Sequence, residues 1–157
     1  ILHDYKSPAA LVISRNEVSL LENSSIEETE KGAYIIRRER ENLHGIIIAT
    51  GTEVQTAVFI AEELYAQEKL DIRVVSMPVL EEFVKQPEQY KEALLPMGVK
   101  RIVIESGTSY GWHQFVYNSK YLITLDSYGV SGTRDEVLSY CDFMYTDIKE
   151  RVLKLLK

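Results

Sequence analysis

A single cysteine, Cys141, stands among the 157 residues, so neither an intrachain disulfide nor a Cys-rich metal site can form. Histidine is as sparse. His3, His44 and His113 lie far apart, and no His-x-x-x-His or His-Glu-x-x-His spacing exists, which leaves a metal site without support. Positive charge is the minority. Lys plus Arg is 18 against 24 for Asp plus Glu, a net charge of −6, which argues against nucleic acid or an anionic membrane as the main partner. Apolar runs are only a few residues long, so no secretory or transmembrane segment is expected. One thiol and no leader fit a reducing, cytoplasmic compartment. The chain also lacks an initiator Met and opens Ile1-Leu2-His3, as a processed chain or a piece cut from a longer one would. What is present is ordinary for a soluble globular protein: 45% hydrophobic and 27% charged residues, in a length that suits one domain with its own core.

The apolar run Pro8-Ala9-Ala10-Leu11-Val12-Ile13 reads as a short strand that closes at Ser14-Arg15-Asn16. Residues 22–30 are rich in charge and turn formers and poor in apolar residues, which is the composition of a linker. A domain boundary is placed there, with 1–22 ending one domain and 23–157 forming the next. Strands are expected at 33–37, at the β-branched run 45–50, and at 72–76, 101–105 and 121–125. Val54, Ala57, Val58, Ala61, Leu64 and Tyr65 recur at helical spacing, with Thr52 and Gln55 as a candidate capping box. Short helices are expected at 80–85, 87–94, near Gly111-Trp112 and at 133–140. A last one, near 146, has Ile148, Val152, Leu155 and Leu156 as its buried stripe. Strands alternating with helices predict an α/β fold, a three-layer α/β/α arrangement around a mostly parallel sheet of about five strands.

Ligands of such sheets bind beyond the carboxyl ends of the strands. Three loops there carry glycine, around Gly51, Gly107 and Gly129. They could hold a phosphate or nucleotide on free backbone N–H groups, or they could merely close tight turns. No Gly-x-Gly-x-x-Gly follows the first strong strand, and no Gly-x-x-x-x-Gly-Lys-Ser/Thr occurs. Glu105 and Asp126 each end a strand. They could do acid–base work as a pair, or they could bind backbone N–H groups and cap helices. His113 reads as a surface or helix-end residue and Cys141 as a small buried apolar one. Arg37-Arg38-Glu39-Arg40-Glu41 mixes signs and reads as a solvated strand end. The 10 tyrosines do not alternate with basic residues and fit the rim of a core. Arg15, directly after an apolar run, offers a planar fork suited to a phosphate or carboxylate, or to a surface ion pair.

Several segments together resemble the C-terminal part of a transketolase. Leu11-Val12-Ile13-Ser14-Arg15-Asn16 is similar to a family strand ending Leu-Ser-Arg-Gln, with Asn16 in place of Gln. Glu30-Lys31-Gly32-Ala33-Tyr34 resembles the lead-in to the C-terminal domain, and Ile48-Ala49-Thr50-Gly51-Thr52-Glu53-Val54 resembles Ala-Thr-Gly-Ser-Glu-Val. The most specific run is Arg73-Val74-Val75-Ser76-Met77-Pro78 followed by Phe83, Gln86, Tyr90, Leu95 and Pro96. Glu105, Gly107, Gly111 and Trp112 match another run. Asp126-Ser127-Tyr128-Gly129-Val130-Ser131-Gly132 is similar to Asp-x-Phe-Gly-x-Ser-Ala, with Gly132-Thr133 in place of Ala-Pro.

The resemblance implies the last strand of a pyrimidine-binding domain in 1–22 and a transketolase C-terminal domain in 23–157. The full enzyme so implied moves a two-carbon ketol unit from a ketose phosphate to an aldose phosphate in the pentose phosphate pathway. It works as a cytoplasmic homodimer with thiamine diphosphate and a divalent metal, Mg or Ca. The family's Gly-Asp-Gly…Asn metal motif and its activating glutamate are absent, so this chain alone is expected to be inactive and to bind neither group. Catalytic, cofactor-binding and metal residues are therefore none. Arg15 alone maps onto a family functional residue, the arginine that contacts the substrate phosphate. The alternatives are a C-terminal subunit of a split transketolase, an anion-binding or regulatory α/β module using the three glycine loops, and a purely structural domain that helps a dimer pack.

Overall fold

The computed structural model describes residue 10, residues 12–14 and residues 17–157. Along the chain run α1 (Ile26–Thr29), β1 (Tyr34–Arg37), β2 (Gly45–Ala49), α2 (Glu53–Glu68), β3 (Ile72–Ser76), α3 (Leu80–Val84), α4 (Glu88–Leu94), β4 (Arg101–Ile104), β5 (Leu122–Ile123), α5 (Arg134–Tyr140) and α6 (Tyr145–Leu156). Two 3-10 turns, Trp112–Phe115 and Ser119–Tyr121, lie between β4 and β5.

The strands form one sheet in the order β1-β3-β2-β4-β5. Four are parallel, and β1 runs antiparallel at the edge beside β3. The continuous apolar run of β2 is explained by its position. It is central and buried on both faces, so every residue needs an apolar environment. Ile47 and Ala49, with Val74, Ile102 and Ile104, pack against α2 and α6. Ile46, Ile48, Val75 and Val103 point the other way, onto Phe83, Leu94, Trp112 and Phe115. The period of two thus divides the core into two halves and produces the expected three layers. Phe83 is the largest fully buried side chain, and it meets the rings of Tyr90 and Phe115. Burying one such side chain stabilises the fold by about 1.5–3 kcal/mol.

The helical stripes follow the expected spacing with small shifts. In α2 the buried residues are Val54, Ala57, Ile60, Ala61 and Leu64, while Val58 packs on the core from the side. In α6 Ile148, Val152 and Leu156 are buried and Leu155 flanks them. The polar stretch 22–30 is not wholly a linker. Ser25 accepts the N–H of Glu28 and starts the single turn of α1, whose first turn holds Glu27 and Glu28. Further contacts tie this region to the domain: Asn23 Nδ2 donates to the Ile36 carbonyl at 3.0 Å, and Tyr90 Oη donates to the Ala33 carbonyl at 2.8 Å. Gly32 then turns at a φ of +85°, and a Cβ there would collide with the backbone of Val79 and Phe83. Before this region, Ala10 and residues 12–14 carry no strand, and Pro8, Ala9 and Leu11 lie outside the described residues.

In the mixed-charge run 37–41, Arg38, Arg40 and Glu41 are exposed as a solvated strand end requires, and the correction concerns Arg37 and Glu39. Arg37 is only 6% exposed. Its Nε donates to Glu62 at 2.7 Å, and its Nη1 donates to Asp71 at 3.2 Å and to the Ile72 carbonyl. Asp71 also accepts the backbone N–H groups of Arg40 and Glu41. Arg73 forks onto Glu39 and reaches the carbonyls of Ala93 and Leu94 at 2.8 and 2.9 Å. Arg37, Asp71 and Arg73 are buried because each is paired and hydrogen-bonded, the condition under which burial is tolerated, although Arg37 Nη2 has no partner among the described residues.

Candidate functional site

The strand order reverses between β2 and β4. The chain leaves β2 through α2 toward β3 and leaves β4 toward β5, so a crevice opens beyond their carboxyl ends. Its floor comes from the loops that follow the two strands. After β2 the chain turns at Gly51, with a φ of +57°, and enters α2 at Glu53. The expected capping box is not formed. Thr52 is already helical, at φ −68° and ψ −24°, and it donates to Glu53 Oε1 at 2.8 Å. Gln55 instead accepts the backbone N–H of Ser19 at 3.0 Å, which draws the preceding segment across the helix start.

After β4, the Glu105 carboxylate folds back to accept the N–H of Gly107 at 2.8 Å. A cleft of about 720 Å³ lies here, between residues 12–14 and Val18 on one side and residues 50–53, Pro78, Glu105 and Ser106 on the other. Burial pushes the Glu105 carboxyl above its ordinary value, and the neighbouring Glu53 charge adds to the rise against the pull of the Gly107 N–H. Glu53 is the residue that sequence reasoning missed. Its signal was its place at the start of α2, four residues after β2, next to the strand β4 that Glu105 directly follows.

The expected pairing of Glu105 with Asp126 has no such coupling. Asp126 organises the next loop. Its Oδ1 accepts the Ser109 N–H at 2.8 Å and the hydroxyls of Ser109 and Thr108, each at 2.9 Å, and its Oδ2 accepts the Thr124 hydroxyl at 2.9 Å. The Ser109 N–H and then the hydroxyls hold its carboxyl down at about 2. In the following loop Tyr128 is fully exposed. Thr133 and Glu136 then close a reciprocal cap on α5. Both carboxylates thus bind backbone N–H groups, the bland alternative for each.

A crevice lined by Glu53 and Glu105 repels anions, and Glu105 already occupies the N–H of Gly107. The glycines at 51 and 107 therefore serve tight turns. Among the described residues, no three His, Cys, Asp or Glu side chains gather as a metal site. His44 Nδ1 accepts the Asp71 N–H at 3.0 Å, His113 is exposed, and Cys141 is half-buried at the end of α5 against the core. Arg15 and His3 lie outside the described residues. No described helix is long and apolar enough to cross a membrane.

Residues 32–144 match the family model described as the transketolase-like TK C-terminal domain. The chain is similar to the transketolase of Streptococcus pyogenes, at 37% identity over 91% of this chain and 20% of the relative. It is also similar to that of Bacillus subtilis, at 34% over 95% of this chain and 23% of the relative. A Pichia stipitis transketolase crystallised with sedoheptulose-7-phosphate superposes with a TM-score of 0.81 at 32% identity, over 90% of this chain and 20% of that one. A chain described as a split gene transketolase, inactive beta4 tetramer, shares the fold alone, at 18% identity and a TM-score of 0.60 over 81% of this chain and 43% of that one. The chain spans 20–24% of the length of the curated relatives it matches.

Proposed function

The chain belongs to the transketolase family as a transketolase C-terminal domain, and on that premise we propose that it serves an enzyme transferring a two-carbon ketol unit from a ketose phosphate to an aldose phosphate. The observation that carries this reading is identity of 34–37% to transketolases over more than nine-tenths of the chain. In this reading the enzyme is a cytoplasmic homodimer of the pentose phosphate pathway and uses thiamine diphosphate with Mg or Ca.

The described residues do not fit that cofactor. The crevice carries two carboxylates where a diphosphate needs donors, and no metal-binding cluster forms. The cofactor therefore belongs to domains outside this chain, and no step of the chemistry is assigned to the residues of 23–157. Residues 1–22 end the neighbouring pyrimidine-binding domain. Apolar side chains left bare support this: Val12 is 94% exposed and Leu20 is 91% exposed, as residues awaiting a missing neighbour would be.

Arg15 is the one residue tied to substrate, through a charge-assisted contact to its phosphate. The purified 157-residue chain should show no ketol transfer, and turnover by it would refute the division of labour. In the polypeptide that joins this segment to the cofactor-binding domains, Arg15→Ala should raise KM for phosphorylated substrates, about tenfold or more. An unchanged KM removes Arg15 from the site.

A further inference from the structure

Lys100 directly precedes β4, and Lys120 with Tyr121 directly precedes β5. Because those strands are parallel, these residues share the amino-terminal end of the sheet, opposite the carboxylate-lined crevice. The last turns of α6 end there too and bring Arg151, Lys154 and Lys157, each three residues after the one before. Between them lies a cleft of about 540 Å³, walled by these five cations, the Tyr121 ring and Leu155. No Asp or Glu side chain lines it among the described residues, in a chain whose net charge is −6.

Part of this charge has structural work. Lys100 Nζ donates to the Leu156 carbonyl at 2.8 Å, as cations at helix C-termini do, and Lys157 pairs with Glu68 at 2.7 Å. The rest is unspent. Arg151 reaches the Leu122 carbonyl only at 3.5 Å, and Lys120 lies over the Tyr121 ring at 5.1 Å. Neither forms an ion pair among the described residues, and Lys154 has neither an ion pair nor a hydrogen bond there. Holding four further like charges around one cleft when Glu68 pairs only with Lys157 is unfavourable, and an anion in the cleft relieves it.

We propose that this basic cleft binds a small anion carrying two phosphate groups. Several spaced cations suit a ligand with more than one phosphate, and Tyr121 with Leu155 offers an aromatic and apolar wall for an organic body. A nucleic-acid strand fits less well, because the positive charge is confined to one cleft and a strand leaving it would run over an acidic protein. The diphosphate could come from pyrophosphate or from a nucleoside diphosphate, and the two are separable.

The test is isothermal titration of the 157-residue chain at low salt with orthophosphate, pyrophosphate and ADP. Pyrophosphate or ADP should bind at least tenfold tighter than orthophosphate, with affinity falling as salt rises. ADP tighter than pyrophosphate assigns the Tyr121 wall to a base, and equal affinities assign the site to the diphosphate alone. Lys120→Glu with Lys154→Glu should weaken binding at least tenfold, and Lys120→Gln with Lys154→Gln serves if charge reversal impairs folding. Both side chains are exposed. Lys31→Glu with Lys85→Glu makes the same change in net charge elsewhere and should leave affinity unaltered. No binding of either diphosphate at millimolar concentration overturns the proposal, as does equal loss in the control pair or no loss in the cleft variants.

Discussion

Asp71 is 1% exposed and organises the charged end of the sheet, so removing its charge is a demanding test of the fold. In Asp71→Asn the shape is kept, but one oxygen becomes an NH2 group. If that group faces Arg37, it meets the Nη1 donor now held at 3.2 Å. If it flips, it meets the backbone N–H groups of Arg40 and Glu41. Either way a donor faces a donor, and at least one buried hydrogen bond to a charged group, worth about 1.5–3 kcal/mol, is lost. The Arg37 guanidinium is left partly uncompensated, although Glu62 and the Ile72 carbonyl remain. The sum is about 3–5 kcal/mol, the range for breaking one side of a buried pair. At this chain length it lowers Tm by roughly 6–20 °C. Urea titration followed by circular dichroism at pH 7 reads the difference directly. pH adds a second check. Burial raises the Asp71 carboxyl, but the Glu41 and Arg40 N–H groups and Arg37 outweigh it and hold it below its ordinary value. A depressed carboxyl stabilises fully above the unfolded value, and the stabilisation fades as pH falls through the folded one. The wild-type and variant curves should therefore converge in acid. A deficit below about 1 kcal/mol at pH 7, or one that does not change with pH, would refute the role given to this charge.

Two further outcomes concern the loops beyond the strands. Glu105 has a raised carboxyl, so its charged form is penalised and it costs stability as pH rises from the unfolded value through the folded one. Glu105→Gln keeps an oxygen for the Gly107 N–H, and its Tm should exceed that of the wild type at pH 8 and match it at pH 4. A lower Tm at pH 8 would contradict the repulsion by Glu53. Asp126→Ala should speed hydrogen exchange at the Ser109 amide, since the carboxylate accepts that N–H at 2.8 Å. In the wild type the protection should persist well below pH 4, because the carboxyl titrates at about 2. Unchanged exchange in the variant would show that another group holds the loop.

The two halves of the molecule differ in how far sequence could reveal them. The β2 and β3 runs and the stripes of α2 and α6 are local patterns, each complete within a few turns, and they are seen almost as read. The strand at 121–125 shrinks to two residues because Leu125 donates to the Gly107 carbonyl and Asp126 ties the chain to Ser109 instead of extending the ladder. The charged run at 37–41 is solvated at Arg38, Arg40 and Glu41 as read, but it is buried at Arg37 for a reason the sequence hides. Its partners Glu62, Asp71 and Arg73 stand 25 to 34 residues away, and no local window joins them. A clue was nevertheless present: Asp71 and Arg73 flank Ile72 at the start of an otherwise apolar strand, and a charge so placed must find a partner or not be buried. The carboxyl-end crevice is ambiguous in the sequence for the same reason. Glycine after a strand can serve a phosphate or only a turn, and the choice depends on which side chains the adjacent loops bring to it. Here they bring Glu53 and Glu105, whose repulsion only the sheet order reveals, while the cations collect at the other end, where the strands begin and α6 ends. The sign of charge at each end of a parallel sheet depends on which loops its strand order brings together, and that order is not a local property of the sequence.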